Sequence, residues 1–130
     1  MRKRLHDQRG ASAVEFTLIV PLLIVLVIGI AEFGRAFQVQ ATLSAAAREG
    51  VRVMALQNDP AAARAAVRDA ATSLNPSITN AQISISPASC PTTGGTTYVR
   101  LTISYSSPFL TDFFGDGVDL TGTGVMRCNG

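Results

Sequence analysis

One long apolar segment near the N-terminus limits what this chain can fold into. From Ala11 to Ala31, the only polar residues are Ser12, Glu15 and Thr17. A helix rises about 1.5 Å per residue, so a helix over this segment is about 30 Å long, which matches the hydrocarbon core of a bilayer. The sequence therefore predicts a transmembrane helix over residues 11–31, in contact with membrane lipid.

A short basic leader precedes this segment. Residues 1–10 contain four basic residues and a single acidic one, although the whole chain has a net charge of only +2. Basic residues that flank an apolar segment stay on the cytoplasmic side of the membrane. We therefore expect a cytoplasmic N-terminus and an extracytoplasmic remainder. Because the remainder has no basic face, we expect it to bind no nucleic acid.

The helical pattern continues beyond the apolar segment. Apolar residues recur at spacings of three and four through residues 32–56, with charged and amide side chains between them. This pattern is typical of an amphipathic helix, so one long helix is predicted, membrane-spanning first and amphipathic afterwards. Small and charged residues along it are candidates for packing against another helix: Gly29, Gly34, Arg48, Glu49 and Gly50.

The remaining residues, 57–130, predict a small extracytoplasmic α+β domain. Asp59 and Pro60 are suited to begin a short helix over residues 60–74. The apolar period then changes to two, which predicts strands over residues 82–86, 98–105 and 118–128. The predicted fold class is α+β, with a long helix, a short second helix and a three-stranded antiparallel sheet that packs one face on helices.

The two cysteines, Cys90 and Cys128, have no nearby metal-ligand partners in the sequence. In an oxidising compartment we expect them to form a disulfide; two free thiols are the alternative. The bond would close a loop of about 39 residues and contribute on the order of 4 kcal/mol in the chain-entropy model.

Gly10, Ala11 and Glu15 form the candidate functional site. A cut between Gly10 and Ala11 would create an α-amino group four residues before Glu15, on the same helical face. An amine and a carboxylate are each unfavourable inside an apolar helix bundle, but they neutralise each other when helices pack side by side. The alternative is that Glu15 reaches the cytoplasmic headgroups and has no partner.

Several motifs resemble one protein family. Gly10, Glu15 five residues later and the apolar run resemble the processing signal of type IV pilin-like proteins. More narrowly, the chain resembles the TadE family, the minor pilins (pseudopilins) of the Tad, or Flp, pilus system. The motifs are AVEF at 13–16, PLL at 21–23, EFGR at 32–35, AAREGVR at 46–52 and VMRC at 125–128. Phe16, where the shorter major pilins usually have Tyr, and the added domain favour the minor-pilin branch.

The resemblance implies a function and a set of partners. A prepilin peptidase would cut after Gly10, and Glu15 with Phe16 would act in assembly of an adhesive pilus. The implied partners are this peptidase, other pilin and minor pilin subunits, and the Tad assembly machinery. The implied location is the bacterial inner (cytoplasmic) membrane, as a single-pass protein associated with a pilus.

Two other interpretations remain open. The segment could be a secretory signal peptide cleaved after Ala31, or an uncleaved anchor for an outer domain that binds something else. The N-terminal residue distinguishes the interpretations. It would be Ala11 for the pilin-like protein, Glu32 after removal of a signal peptide, and Met1 for the uncleaved anchor.

The sequence does not favour an enzyme, a cofactor or a small-molecule substrate. The only histidine, His6, lies in the leader, and no nucleophile stands beside a base. Asp112, Asp116 and Asp119 do not have the spacing of a calcium-binding loop, so no metal is expected.

Overall fold

A computed structural model of the protein describes residues 3–129. It contains a long N-terminal apolar helix, a short second helix and a three-stranded antiparallel sheet, which confirms the predicted α+β class. Single-turn 3₁₀ helices at Asn80–Gln82 and Asp112–Phe114 precede the first and last strands. The helices and strands are α1 (Lys3–Gln57), α2 (Pro60–Ala70), β1 (Ile83–Ser86), β2 (Tyr98–Pro108) and β3 (Gly117–Arg127).

The chain divides into two compact units, and the boundary falls inside α1. The N-terminal unit runs to Arg35, and the C-terminal unit begins at Ala36. In the N-terminal unit, α1 is long and apolar enough to cross a membrane, and its apolar side chains are exposed. This helix is a candidate membrane anchor, since an apolar helix without a covering layer of protein is suited to lipid.

The core of the C-terminal unit lies between α1 and the inner face of the sheet. β2 alternates strictly, so that Val99, Leu101, Ile103 and Tyr105 are all buried on that face. The order of the strands is β1-β2-β3, with antiparallel neighbours. The alternation predicted from the sequence therefore places the correct face of β2 inward.

Two glycines let β3 lie directly against the backbone of α1. A Cβ atom added to Gly122 would stand 2.6 Å from the carbonyl oxygen of Leu43, and one added to Gly124 would stand 2.6 Å from that of Ala47. Real Cβ atoms do not approach backbone oxygens so closely. The strand can contact the helix at this distance only because both positions lack side chains.

The short helix α2 begins as predicted but ends earlier. The Asp59 carboxylate accepts hydrogen bonds from the backbone N–H groups of Ala61 and Ala62, and Pro60 is the first helical residue. The helix ends at Ala70, four residues before the predicted end, although Leu74 is still buried in the core. Apolar spacing thus predicted burial of Leu74 correctly but not its secondary structure.

A disulfide joins Cys90 to Cys128, with 5.6 Å between the Cα atoms and both residues buried. Asn58, just after α1, has a φ of 51° and binds the backbone of Cys90 at two points. Its amide donates to the Cys90 carbonyl oxygen, and its Oδ1 accepts from the Cys90 N–H. The end of α1 and the disulfide therefore form one connected structure.

Candidate processing and assembly site

Gly10 lies within α1, and nothing in the fold requires a glycine there. A Cβ atom added at this position would meet no described atom within 4 Å. A glycine inside a helix costs about 1 kcal/mol relative to alanine. Because packing within the chain does not account for this cost, recognition of Gly10 by another molecule would explain it.

Glu15 differs from the other two polar residues of the apolar segment. The Ser12 hydroxyl donates to the carbonyl oxygen of Gln8 at 3.0 Å, and the Thr17 hydroxyl donates to that of Ala13 at 2.8 Å. These hydroxyls are satisfied by the helix itself. A carboxylate has no proton to donate to a carbonyl, and within residues 3–129 no donor or cation lies in bonding distance of Glu15.

The surroundings of Glu15 make this lack of a partner costly in a membrane. Apart from Ser12, its neighbours on the helix surface are mostly exposed apolar side chains: Val14, Phe16, Leu18, Ile19 and Leu22. A carboxylate among such groups costs a few kcal/mol in hydrocarbon, and an opposite charge reduces that cost. Ala11 is also exposed and lies one helical turn before Glu15. An amine formed at Ala11 would therefore lie at the surface that presents the carboxylate.

The candidate helix-packing glycines lie in two different environments. Gly29 and Gly34 line a shallow apolar depression on the surface of the N-terminal unit, and a Cβ atom at Gly34 would meet nothing within 4 Å. Gly50 faces the interior of the C-terminal unit, where an added Cβ atom would meet the side chains of Val67 and Leu101. The close approach at Gly50 is therefore to elements of the same chain.

Arg48 and Glu49 are exposed on the outer face of α1. The Glu49 carboxylate lies 3.5 Å from a guanidinium nitrogen of Arg52, one turn later. An exposed pair of this kind contributes only tenths of a kcal/mol. Both residues stay available to a partner, so a packing role for them stays a prediction.

Sequence patterning missed the burial of one acidic residue. Glu32, which the amphipathic pattern placed among solvent-exposed polar residues, is only 5 % exposed. Arg35, one turn later, has a buried Nε atom that has no hydrogen-bond partner within the part of the chain that the structure describes. A carboxylate and a guanidinium spaced by three residues were the available signal, but surface pairs share that spacing.

The acidic residues near the last strand do not form a cluster of metal ligands. The residues described contain no group of three histidine, cysteine or acidic side chains that could hold a metal ion. The Asp119 carboxylate instead accepts a hydrogen bond from the Ser106 hydroxyl on the neighbouring strand.

Comparison with known protein families agrees with the motifs of the N-terminal half. Residues 10–52 match the family model described as TadE-like protein. The match confirms the resemblance predicted from the sequence and includes Gly10, Glu15 and the EFGR and AAREGVR motifs. It ends before α2, so the VMRC motif at 125–128 lies outside it. No curated protein and no solved structure matches the chain.

Proposed function

We propose that this chain, which is TadE-like over residues 10–52, is a membrane-anchored minor pilin (pseudopilin) of a Tad-type adhesive pilus. It is made with a cytoplasmic leader, cut after Gly10 by a prepilin peptidase, and assembled with other pilin subunits. The observation that carries the proposal is Glu15, a carboxylate that has no partner among the residues the structure describes and lies on an exposed apolar helix inside the family match.

The proposed assembly step pairs charges between neighbouring helices. Cleavage leaves a protonated amine on Ala11, and the Glu15 carboxylate of an adjoining subunit accepts its hydrogen bonds. An ion pair in a medium of low dielectric constant is strong, whereas each charge alone is strongly disfavoured. The pair therefore selects one register among apolar helices that would otherwise slide along each other, as a buried polar residue does in coiled coils.

The chain would function as a single-pass protein of the bacterial inner membrane. The basic leader favours a cytoplasmic N-terminus, which exposes Gly10 to a peptidase acting on that side. The disulfide between Cys90 and Cys128 is consistent with an extracytoplasmic C-terminal unit, since such bonds persist in oxidising compartments. The proposed partners are the peptidase, other pilin subunits and the assembly machinery.

The first experiment replaces Glu15 in a strain that depends on this chain for its pili. Glu15→Gln keeps the size of the side chain and removes its charge, so we expect normal membrane insertion and normal processing but few or no pili. Asp69→Asn, an exposed residue of α2, is the matched control and should leave piliation unchanged. Full piliation of Glu15→Gln would reject the assembly role.

The second experiment identifies the N-terminal residue of the protein recovered from membranes. Ala11 is the expected residue. Met1 would show an uncleaved anchor, and Glu32 on a released protein would show a secretory signal peptide. Either of these results would overturn the proposed processing.

A further inference from the structure

The phenylalanines of the C-terminal unit lie at its surface. This unit contains four of the six phenylalanines of the chain, and none of them belongs to its core. Phe37 is 70 % exposed, Phe113 62 % and Phe114 45 %, and Phe109 is half-buried. Phenylalanine is among the residues most often buried, so four phenylalanines that all lie outside the core indicate a second apolar environment.

Three of these rings form one cluster in the connection between β2 and β3, residues 109–116, which we call the phenylalanine loop. The centroids of Phe113 and Phe114 are 5.1 Å apart, and those of Phe109 and Phe114 are 6.5 Å apart, both pairs edge to face. Leu110 is also exposed. The rings support one another and present a joint apolar surface outward.

The phenylalanine loop lies at the Ala36 end of the C-terminal unit. β3 and α1 run side by side in the same direction. The Gln40 amide donates to the Thr121 carbonyl oxygen at 2.7 Å, and the Asn129 N–H donates to the Ala55 carbonyl oxygen at 3.1 Å.

The distances covered by β3 and by α1 show at which end of the C-terminal unit the phenylalanine loop lies. From Thr121 back to Gly117, β3 covers about 13 Å. From Gln40 back to Ala36, α1 covers only about 6 Å. The loop therefore lies at the end of the C-terminal unit at which Ala36 begins it.

Chain connectivity limits the distance between this end and the predicted membrane segment. Ala31, the last residue of the predicted membrane segment, is five residues before Ala36, so the two lie within about 18 Å of each other in any conformation. If residues 11–31 span a bilayer, the end of the C-terminal unit that exposes Phe37, Phe113 and Phe114 lies close to the bilayer surface.

We propose that the phenylalanine loop inserts into the lipid headgroup and acyl boundary of the membrane that holds the same chain. The inference rests on the membrane anchoring of the proposed function. Phenylalanine and leucine side chains are suited to this layer, in which the apolar faces of interfacial segments are buried. The carboxylates of Asp112 and Asp116 stay among the hydrated headgroups, where zwitterionic lipids carry ammonium groups. The loop thus holds the C-terminal unit against the bilayer until the subunit leaves it.

The absence of tryptophan from the sequence allows a direct test. Phe113→Trp in the full chain, reconstituted in phosphatidylethanolamine and phosphatidylglycerol vesicles, places a single fluorophore in the loop. Tyr98→Trp is the matched control, since Tyr98 is an exposed aromatic residue at the opposite end of β2, paired with Arg127. Phe16→Trp reports on the anchoring itself. Quenching is measured with lipids brominated near the glycerol end of the acyl chains.

We expect Phe113→Trp to show blue-shifted emission and several-fold stronger quenching than Tyr98→Trp. Leu110→Trp is a second reporter in case Phe113→Trp does not form the disulfide, and it should behave in the same way. Quenching of Phe16→Trp with none of the loop reporters would reject this inference and leave the anchoring intact. No quenching of Phe16→Trp would reject both. A blue shift that disappears when the protein is diluted with further lipid, without quenching by the brominated lipids, would show that a second copy covers the loop. That result would also overturn the proposal.

Discussion

The glycines of α1 have different surroundings. These surroundings distinguish glycines that pack within the chain from glycines that could contact another chain. Gly10 and Gly34 have open space where a side chain would lie, whereas Gly50 is enclosed by α2 and β2. A glycine in a helix is unfavourable in every case. Of these three, only Gly50 is explained by the fold of the chain itself.

We predict that Gly50→Ala destabilises the C-terminal unit. The added methyl group would lie 2.8 Å from Cδ1 of Leu101 and even closer to Cγ2 of Val67, which has little freedom to move. Overpacking of this kind costs about 1–3 kcal/mol, which the better helix propensity of alanine only partly offsets. Resistance of the full chain to protease in increasing urea measures the loss.

Gly34→Ala is the matched control for Gly50→Ala. It should leave protease resistance unchanged or slightly higher, because the methyl group lies within 4 Å of nothing in the described part of the chain. Reduced piliation by Gly34→Ala, with stability retained, would support a packing role between subunits. If Gly50→Ala were as stable as Gly34→Ala, the close packing of α1 on α2 would be wrong.

Asn58 is a second residue whose importance depends on backbone geometry. We predict that Asn58→Ala lowers the free energy of unfolding by about 2–3 kcal/mol, because it removes two side-chain hydrogen bonds to Cys90 and leaves alanine at a positive φ. Asn75→Ala, at an exposed position in the next turn, is the control. Urea unfolding followed by tyrosine fluorescence would show the difference, and equal midpoints would contradict it.

At the scale of elements, the sequence predicted the type and buried face of the elements better than it predicted where they end. The alternation of residues 98–105 predicted β2 and its buried face, and Asp59-Pro60 predicted the start of α2, because both signals are local. Apolar periodicity did not predict two other features. β2 continues to Pro108, and the helix α1 already begins at Lys3, within the leader. The role of Gly122 and Gly124 could not be predicted from a local pattern, because their contacts are with α1, about 80 residues earlier in the chain.

The close packing of β3 on α1 leads to a prediction for Gly122 in β3. Gly122→Ala should cost at least about 3 kcal/mol, more than Gly50→Ala, because its methyl group meets the backbone of Leu43 and not the end of a side chain. Thr123→Ala, on the exposed face of the same strand, is the control and should cost less than about 1 kcal/mol. A Gly122→Ala protein with unchanged urea resistance would show that β3 does not lie against α1 as described.

At the scale of the whole molecule, the disulfide links Cys90 to Cys128 near the end of the C-terminal unit. Cys90→Ser should reduce its stability under oxidising conditions by up to about 4 kcal/mol, because the unfolded chain regains the freedom of a long loop. A reductant should lower the stability of the unsubstituted chain by a similar amount and have no effect on Cys90→Ser/Cys128→Ser. Unchanged protease resistance of Cys90→Ser would remove the disulfide from the account of stability.

The core lies entirely outside the apolar segment. Every residue of the core cluster, from Val39 to Cys128, belongs to the C-terminal unit. We therefore predict that residues 32–130, produced in an oxidising compartment, fold without the apolar segment into a soluble, disulfide-bonded protein. Circular dichroism and a cooperative urea transition would show this, and the same fragment with Gly122→Ala controls for the sensitivity of the assay. An unfolded fragment would mean that the apolar segment is needed for stability. A folded one would mean that the apolar segment is not needed for the fold, so that its function lies in the membrane. The N-terminal residue of the native protein, Ala11 or Glu32, then decides whether the segment is retained as an anchor or removed as a signal peptide.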